Sequence, residues 1–124
     1  MASLISLPLI LFNTVVAYAP QAPAPTIEEM IASYDWDDKT AYAVMINESN
    51  GLENSFNPEW HRDQFGNSIC QGSYGLFQIA CTHSRNPKEL FNPIVNIEIA
   101  YNLYLNEGWR PWSVCTNGTV DCGL

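Results

Sequence analysis

The sequence is poor in basic residues. It has 5 Lys and Arg against 13 Asp and Glu, which gives a formal net charge of -8. Binding to nucleic acid requires clustered Lys and Arg side chains that neutralise phosphate groups, so the composition argues against nucleic acid as a partner. The same negative charge argues against adsorption of the protein to anionic membranes or polymers.

Metal-binding patterns are also missing from the sequence. The two histidines, His61 and His83, form no H-E-x-x-H motif, and the four cysteines contain no C-x-x-C pair. We therefore expect no bound metal and no cofactor. Both histidines are interpreted as surface or structural residues.

Charged side chains are absent from the first 25 residues. The apolar stretch at residues 4–16 has the length of a signal-peptide core and is short for a membrane span. The sequence AYA after it fits a signal-peptidase site, although no Lys or Arg precedes the stretch and Pro20 follows the cut. The predicted organisation is a signal peptide or N-terminal anchor at residues 1–19, a Pro/Ala linker at 20–25 and one domain at 26–124.

This organisation predicts a protein exported to the cell envelope, the periplasm or the extracellular space. We expect a monomer that contacts a membrane only through an uncleaved N-terminal segment. The four cysteines agree with export, because small exported domains commonly contain disulfides. Among three possible connectivities, pairing of sequence neighbours predicts the bridges Cys70–Cys81 and Cys115–Cys122, and a four-cysteine zinc site is the less favoured alternative.

The remaining pattern predicts an α+β domain that is mainly helical and has a small β-hairpin. Thr26 and Glu29 have the spacing of a capping box at the start of one helix. A later helix is predicted to begin at Asn92 and to end at Gly108. Its core face is predicted to extend from Ile94 to Leu105.

Two segments between these helices are assigned from composition. Residues 52–72 are rich in Asn, Gly, Pro and aromatic residues, which predicts turns and an irregular hairpin with its tip at residues 65–67. The sequence SYGLFQIA, residues 73–80, has the apolar density of a short buried helix.

A further helix is predicted from about Asp38 to Gly51, and its apolar face ends in an acid. Glu48 continues the i, i+3, i+4, i+7 spacing of core positions that begins at Ala41. Burial of a carboxyl group raises its pKa, so that it can donate a proton near neutral pH. The alternative is that Glu48 only ends the helix and points to solvent.

Three motifs resemble those of the lysozyme-like superfamily, and within it the lytic transglycosylases and goose-type lysozymes. They are NESNGLENSFNPEW from residue 47, GSYGLFQI from residue 72 and LFNPIVNIEIAYNLYLNEGWRPWSVC from residue 90. The resemblance covers roughly residues 40–115 in the motif order of the family. It implies a lysozyme-like fold in which a catalytic glutamate ends a helix and the second motif lines a substrate groove.

The resemblance also implies roles for single residues. Glu48 matches the general acid, and Ser49 matches the residue that positions the helix end. Ser73 matches a serine that contacts the sugar N-acetyl group or the catalytic carboxyl. The other matches to substrate-binding or nearby positions are Tyr74, Gly75, Gln78 and Tyr101. Trp109 and Trp112 are interpreted as core residues in preference to sugar-stacking residues.

Ser73 bears on the reaction that the resemblance implies. Animal-type lysozymes have an aspartate there, the second carboxylate of a retaining glycosidase. With serine instead, the resemblance implies a lytic transglycosylase that acts on the β-1,4 bond between MurNAc and GlcNAc in the peptidoglycan glycan strand. Glu48 would protonate the bond oxygen and then deprotonate the C6 hydroxyl, with formation of 1,6-anhydro-MurNAc.

Two alternatives to this reaction remain. The first is a lysozyme-type muramidase, a hydrolase in which Asp63 is a second carboxylate that holds a water molecule. Glu53 and Glu59 are further acids on the same irregular segment. The second alternative is a catalytically silent domain that binds glycan.

Overall fold

The computed structural model describes residues 20–124, so the predicted signal peptide or anchor at residues 1–19 lies outside the described residues. The predicted α+β, mainly helical class is confirmed. Within residues 20–124, no helix has the length and apolar character needed to cross a membrane. The elements are α1 (Ile27–Ala32), α2 (Asp38–Ser49), β1 (Phe56–Arg62), β2 (Ser68–Tyr74), β3 (Ile79–Ala80), α3 (Pro93–Glu107) and α4 (Ser113–Thr116), with short 3-10 helices at Cys81–His83 and Pro87–Phe91.

The helix starts and ends follow from local capping. The Thr26 hydroxyl accepts from the Glu29 backbone N–H at 3.1 Å, and the Glu29 carboxylate accepts from the Thr26 N–H at 3.3 Å. This is the predicted capping box of α1. Asp37 caps α2 and Asn92 caps α3, each through a side-chain oxygen that accepts a backbone N–H two residues later. Helix α3 ends at Glu107, and Gly108 follows it as the C-cap, as predicted.

The three strands form one antiparallel sheet in the order β1-β2-β3. Strand β1 contains a bulge, since Asn57 pairs with Ser73 whereas Trp60 pairs with Gln71, which leaves one extra residue on β1. Pro58 lies in this bulge, where a residue without a backbone N–H is tolerated. A bulge changes the direction of nearby side chains. The hairpin turn lies at residues 63–67 and includes the predicted tip.

The sequence SYGLFQIA does not form the predicted short helix. Tyr74 ends β2, residues 75–78 are turns, and Ile79–Ala80 add a third strand to the hairpin. Gly75 has φ +72° and Gln78 has φ +49°, both in the left-handed region that a right-handed helix cannot contain. The helix prediction was therefore wrong, although Leu76, Phe77 and Ile79 are buried.

The hydrophobic core lies between the helices and the turn that follows β2. The apolar stripe of α2 is buried as predicted. On α3 the buried positions are Asn96, Ile97 and Ala100, whereas Ile94 and Leu105 are 61% and 59% exposed, so the predicted core face was wrong at both ends. Trp109 and Trp112 are buried, which agrees with the core interpretation.

Both predicted disulfides, Cys70–Cys81 and Cys115–Cys122, are present, and the four-cysteine zinc site is excluded. The first bridge ties β2 to the 3-10 helix that follows β3. The second ties α4 to the C-terminal tail. Disulfides of this kind indicate an oxidising environment, extracellular or periplasmic.

Candidate active site

A groove of about 310 Å³ brings together the end of α2, the sheet and the segment that precedes α4. Its lining is mixed, because side chains of Leu103, Pro111 and Trp112 accompany the polar groups. The polar groups include Glu48, Asn57, Glu59, His61, Ser73 and Gln78. An open, mixed groove of this size suits an extended polar ligand that also presents apolar faces.

Glu48 lies in this groove at the C-terminal end of α2 and is half-buried. Burial, and secondly the negative charge of Glu59, raise the pKa of Glu48 from 4.5 to about 6. The stripe of core residues on α2 explains the burial, because Glu48 continues that face to its last turn. A carboxyl group with such a pKa can act as both an acid and a base near neutral pH.

Ser49 fixes the helix end directly after Glu48. Its buried hydroxyl donates to the Met45 carbonyl at 3.1 Å and accepts from the Gly51 N–H at 3.2 Å. Asn50 then adopts a left-handed conformation with φ 57° and ends α2. Ser49 is therefore placed to position Glu48 through the backbone, although Ser49 does not line the groove.

Ser73 connects two further side chains of the groove. Its hydroxyl donates to Glu59 Oε1 at 2.9 Å, and His61 Nε2 lies 3.2 Å from the same Oγ. His61 Nε2 is also 3.9 Å from Glu59 Oε1. The negative charge of Glu59 contributes to the raised pKa of Glu48, and both side chains line the groove. Glu59 is therefore the second acidic residue of the groove.

The turn after β2 carries Gln78 into the groove. The Gln78 side-chain amide donates to the carbonyls of Ser55 and Gly75, at 3.2 Å and 3.0 Å. Gly75 packs so closely against Leu90 and Asn96 that an added Cβ would collide with both. Glycine at position 75 thus allows the turn to approach α3.

Asn96 holds this turn and was not among the predicted site residues. It is fully buried, and its Oδ1 accepts from the Phe77 N–H at 2.8 Å. Its Nδ2 donates to the carbonyls of Tyr74 and Leu90, each at 2.8 Å. The available sequence signal was an amide in the middle of the apolar face of α3.

Besides Ser49 and Gly75, three predicted site residues are not brought to the groove lining. Tyr74 packs against Phe56 and Phe91, with ring centroids 5.0 Å and 5.1 Å away. Tyr101 packs in an aromatic cluster, 4.6 Å from the ring of Tyr34. Asp63, the expected second carboxylate, lies instead in the hairpin turn.

The Asp63 carboxylate is used within that turn. It accepts from the backbone N–H groups of Phe65 and Asn67, both at 2.9 Å. Hydrogen bonds, first of all the one from the Asn67 backbone, lower the pKa of Asp63. The hydrogen bonds give Asp63 a structural role at the hairpin tip.

His61 and His83, which were interpreted as surface or structural residues, both line the groove. The missed signal was an alternation on β1, in which Asn57, Glu59 and His61 are two residues apart and all line the groove. Across residues 20–124, no three His, Cys, Asp or Glu side chains are grouped so as to hold a metal ion.

Comparisons with known proteins agree with the motif order. Residues 25–110 match the family model described as Transglycosylase SLT domain. No curated protein and no solved structure matches the chain. The match covers more than half of the chain and includes α2, with Glu48, and the sheet. The chain therefore belongs to the transglycosylase SLT domain family.

Proposed function

We propose that this domain is a peptidoglycan lytic transglycosylase that cleaves the MurNAc-GlcNAc β-1,4 bond and forms 1,6-anhydro-MurNAc. The observation that best supports the proposal is the half-buried Glu48 carboxyl, which lies in the groove and has a pKa of about 6. Family membership supports a peptidoglycan substrate. The substrate is an uncharged sugar backbone at the bond that is cleaved, which agrees with a groove that offers both hydrogen-bonding and apolar groups.

In the proposed reaction Glu48 is the catalytic residue and acts twice. Its carboxyl proton goes to the glycosidic oxygen as the bond from that oxygen to C1 of MurNAc breaks. The N-acetyl oxygen of the substrate stabilises C1 in the meantime. The Glu48 carboxylate then takes the proton of the C6 hydroxyl, and that oxygen closes onto C1. The glutamate ends protonated, and no water is consumed.

The pKa of Glu48 decides whether both steps are available. With a pKa of about 6, half of the molecules carry the proton at pH 6 and about one in ten carries it at pH 7. An acid with its ordinary pKa of 4.5 would be protonated in far fewer molecules at pH 7. Partial burial therefore supports the donor step without preventing the acceptor step.

Digestion of purified sacculi tests the proposal. We expect the protein to release fragments with 1,6-anhydro ends, detected by mass spectrometry. Glu48→Gln should lower the release by at least roughly 10²–10⁴-fold, the usual contribution of general acid catalysis. Glu53→Gln is the matched control, because it makes the same charge change at an exposed residue outside the groove. Wild-type release by Glu48→Gln would refute the assignment of Glu48.

A hydrolase is the second candidate function, and the position of Glu59 in the groove favours it. An inverting hydrolase needs a second carboxylate that holds a water molecule. The two carboxyl groups are then roughly 6.5–9.5 Å apart. Asp63 lies in the hairpin turn, whereas Glu59 lies in the groove. Reducing ends in the same digestion would indicate hydrolysis, and no release of fragments would indicate a domain that only binds glycan.

The proposal includes export of the protein to the cell envelope or beyond, where it acts on the glycan strand as a monomer. The two disulfides support export, because they require an oxidising compartment. N-terminal sequencing of protein recovered from the envelope or medium would test cleavage near residue 19. Recovery only from the cytoplasm, with reduced cysteines, would contradict export.

A further inference from the structure

The hydrogen bonds of Ser73 have a defined direction. Its hydroxyl has one proton, and this proton is donated to Glu59 Oε1 at 2.9 Å. His61 Nε2, at 3.2 Å, must therefore be the donor to Ser73 Oγ and must carry a hydrogen. The resulting order is from the His61 N–H to the Ser73 hydroxyl and from there to the Glu59 carboxylate.

This chain of hydrogen bonds is anchored in the sheet at its centre. Ser73 is only 4% exposed and pairs with Asn57 on one side and with Ala80 on the other. The Glu59 side chain, by contrast, is 54% exposed and the His61 side chain 24%. Glu59 also follows Pro58 in the bulge of β1, which sets its direction. A half-exposed glutamate would otherwise sample several rotamers, so the bond from Ser73 is what fixes it.

We propose that His61 and Ser73 hold Glu59 as a second functional carboxylate of the groove, a positioning residue that acts on the reaction through Glu48. This inference rests on the proposed function, in which Glu48 is the acid. It also gives Ser73 a role different from the one that the resemblance implies. The only hydroxyl proton of Ser73 is used on Glu59, so it is not available to the Glu48 carboxyl or to a sugar.

The expected effect on Glu48 is electrostatic. A fixed negative charge in the same groove disfavours the ionised form of Glu48, and Glu59 is the second cause, after burial, of its raised pKa. The other titratable groups of the lining are His61 and His83, whose protonation would act in the opposite direction. The residues of the lining from α3, from the segment before α4 and from the start of α4 are Leu103, Pro111, Trp112 and Ser113, and they carry no charge.

Titration of the Glu48 carboxyl by NMR tests the inference without substrate. In Glu59→Gln we expect the pKa of Glu48 to fall by less than half of its rise from 4.5 to about 6, because burial is the larger cause. Glu53→Gln is the matched control and should leave the Glu48 titration unchanged. Equal titration curves for Glu59→Gln, Glu53→Gln and the wild type would overturn the inference.

Two variants of His61 test the hydrogen-bond chain itself. His61→Gln retains an N–H donor close to the position of Nε2, whereas His61→Phe has none. Both variants remove the titratable imidazole, and the part of their difference that depends on Glu59 reports the hydrogen bond. We expect a lower pKa of Glu48 in His61→Phe than in His61→Gln. In a Glu59→Gln background this difference should disappear, since the chain then no longer ends in a carboxylate.

The results separate this inference from the proposed function. One outcome is that Glu59→Gln shifts the Glu48 titration but the wild-type protein releases no sacculus fragments. The electrostatic coupling then stands and the transglycosylase proposal fails. If anhydro fragments are released but the titration is unaffected, the function stands and the role of Glu59 is refuted. A difference between His61→Phe and His61→Gln that persists without Glu59 would refute the hydrogen-bond chain.

Discussion

Replacement of Asn96 by leucine should unfold the turn that shapes the groove. Asn96 is completely buried and its side chain completes the hydrogen bonding of three backbone groups, the Phe77 N–H and the carbonyls of Tyr74 and Leu90. Leucine has a similar volume, so Asn96→Leu tests lost hydrogen bonds without creating a large cavity. The three backbone groups would remain where water does not easily reach them.

The size of the effect follows from these contacts. A buried polar group that loses its partner costs about 1–3 kcal/mol. Tyr74 is only partly buried, so its carbonyl can regain some hydration, and we count the other two groups in full. The expected decrease in the free energy of unfolding is about 3–5 kcal/mol, at the upper end for single substitutions. Urea unfolding followed by tryptophan fluorescence would measure it.

Asn102→Leu is the matched control for this prediction. Asn102 lies on the same helix but is exposed, so the same substitution should change the free energy of unfolding by no more than about 0.5 kcal/mol. A loss below about 1 kcal/mol in Asn96→Leu would refute the reasoning. Such a result would show that Gly75 and the Cys70–Cys81 disulfide hold the turn without the buried Asn96 side chain.

Three further predictions concern stability. Gly75→Ala should be more destabilising than Gly66→Ala, because both glycines have positive φ but only a Cβ at Gly75 would meet other atoms, and urea unfolding compares them. Replacement of Cys70 and Cys81 by serine should cost about 3 kcal/mol by the loop-entropy argument, and an equal midpoint with and without the bridge would contradict it. The raised pKa of Glu48 makes its protonated form favourable in the fold. This contribution is complete below pH 4.5 and is lost as the pH rises through about 6. Glu48→Gln, which cannot ionise, should therefore be more stable than the wild type at pH 7, by about 1 kcal/mol after allowance for partial exposure. At pH 4 the two proteins should be equally stable.

The parts of the fold that were predictable from the sequence depend on local interactions. A capping box needs only Thr26 and Glu29, three residues apart, and the ends of α3 need only Asn92 and Gly108. The disulfides join cysteines that are 11 and 7 residues apart. Such features join residues that are close in sequence, so a local pattern can predict them, although the cysteines still left three connectivities open.

The third strand could not be predicted in this way. Ile79–Ala80 is too short to show an alternating pattern, and it forms only because residues 75–78 turn back onto β2. That turn is held by Asn96, which lies 19 residues beyond Phe77. A high apolar content is common to buried helices and buried turns, so the composition of SYGLFQIA favoured the wrong element.

The second carboxylate shows a similar limit within the site. Asp63 and Glu59 were both candidate acids on one segment, and the choice between them depends on where β1 ends, because Glu59 lies in the strand and Asp63 in the turn that follows it. The alternation that brings Asn57, Glu59 and His61 to the groove stops where β1 ends, at Arg62. A sequence pattern does not locate the end of a strand to the residue, and the turn that uses the Asp63 carboxylate is likewise visible only in the structure.

The raised pKa of Glu48 depends on contacts that keep the shape of the groove. Glu48 is partly dehydrated and close enough to Glu59 to be affected by its charge, and both conditions destabilise the folded state when Glu48 is ionised. A flexible groove would relieve them, because either carboxylate could move into solvent and the pKa of Glu48 would return towards 4.5. Three sets of contacts oppose that movement: the Cys70–Cys81 bridge, the Asn96 hydrogen bonds and the Ser49 hydrogen bonds at the end of α2. The rigidity of these contacts is therefore a condition for the raised pKa of Glu48. Variants that loosen any of them should lower the pKa of Glu48 even where the fold survives.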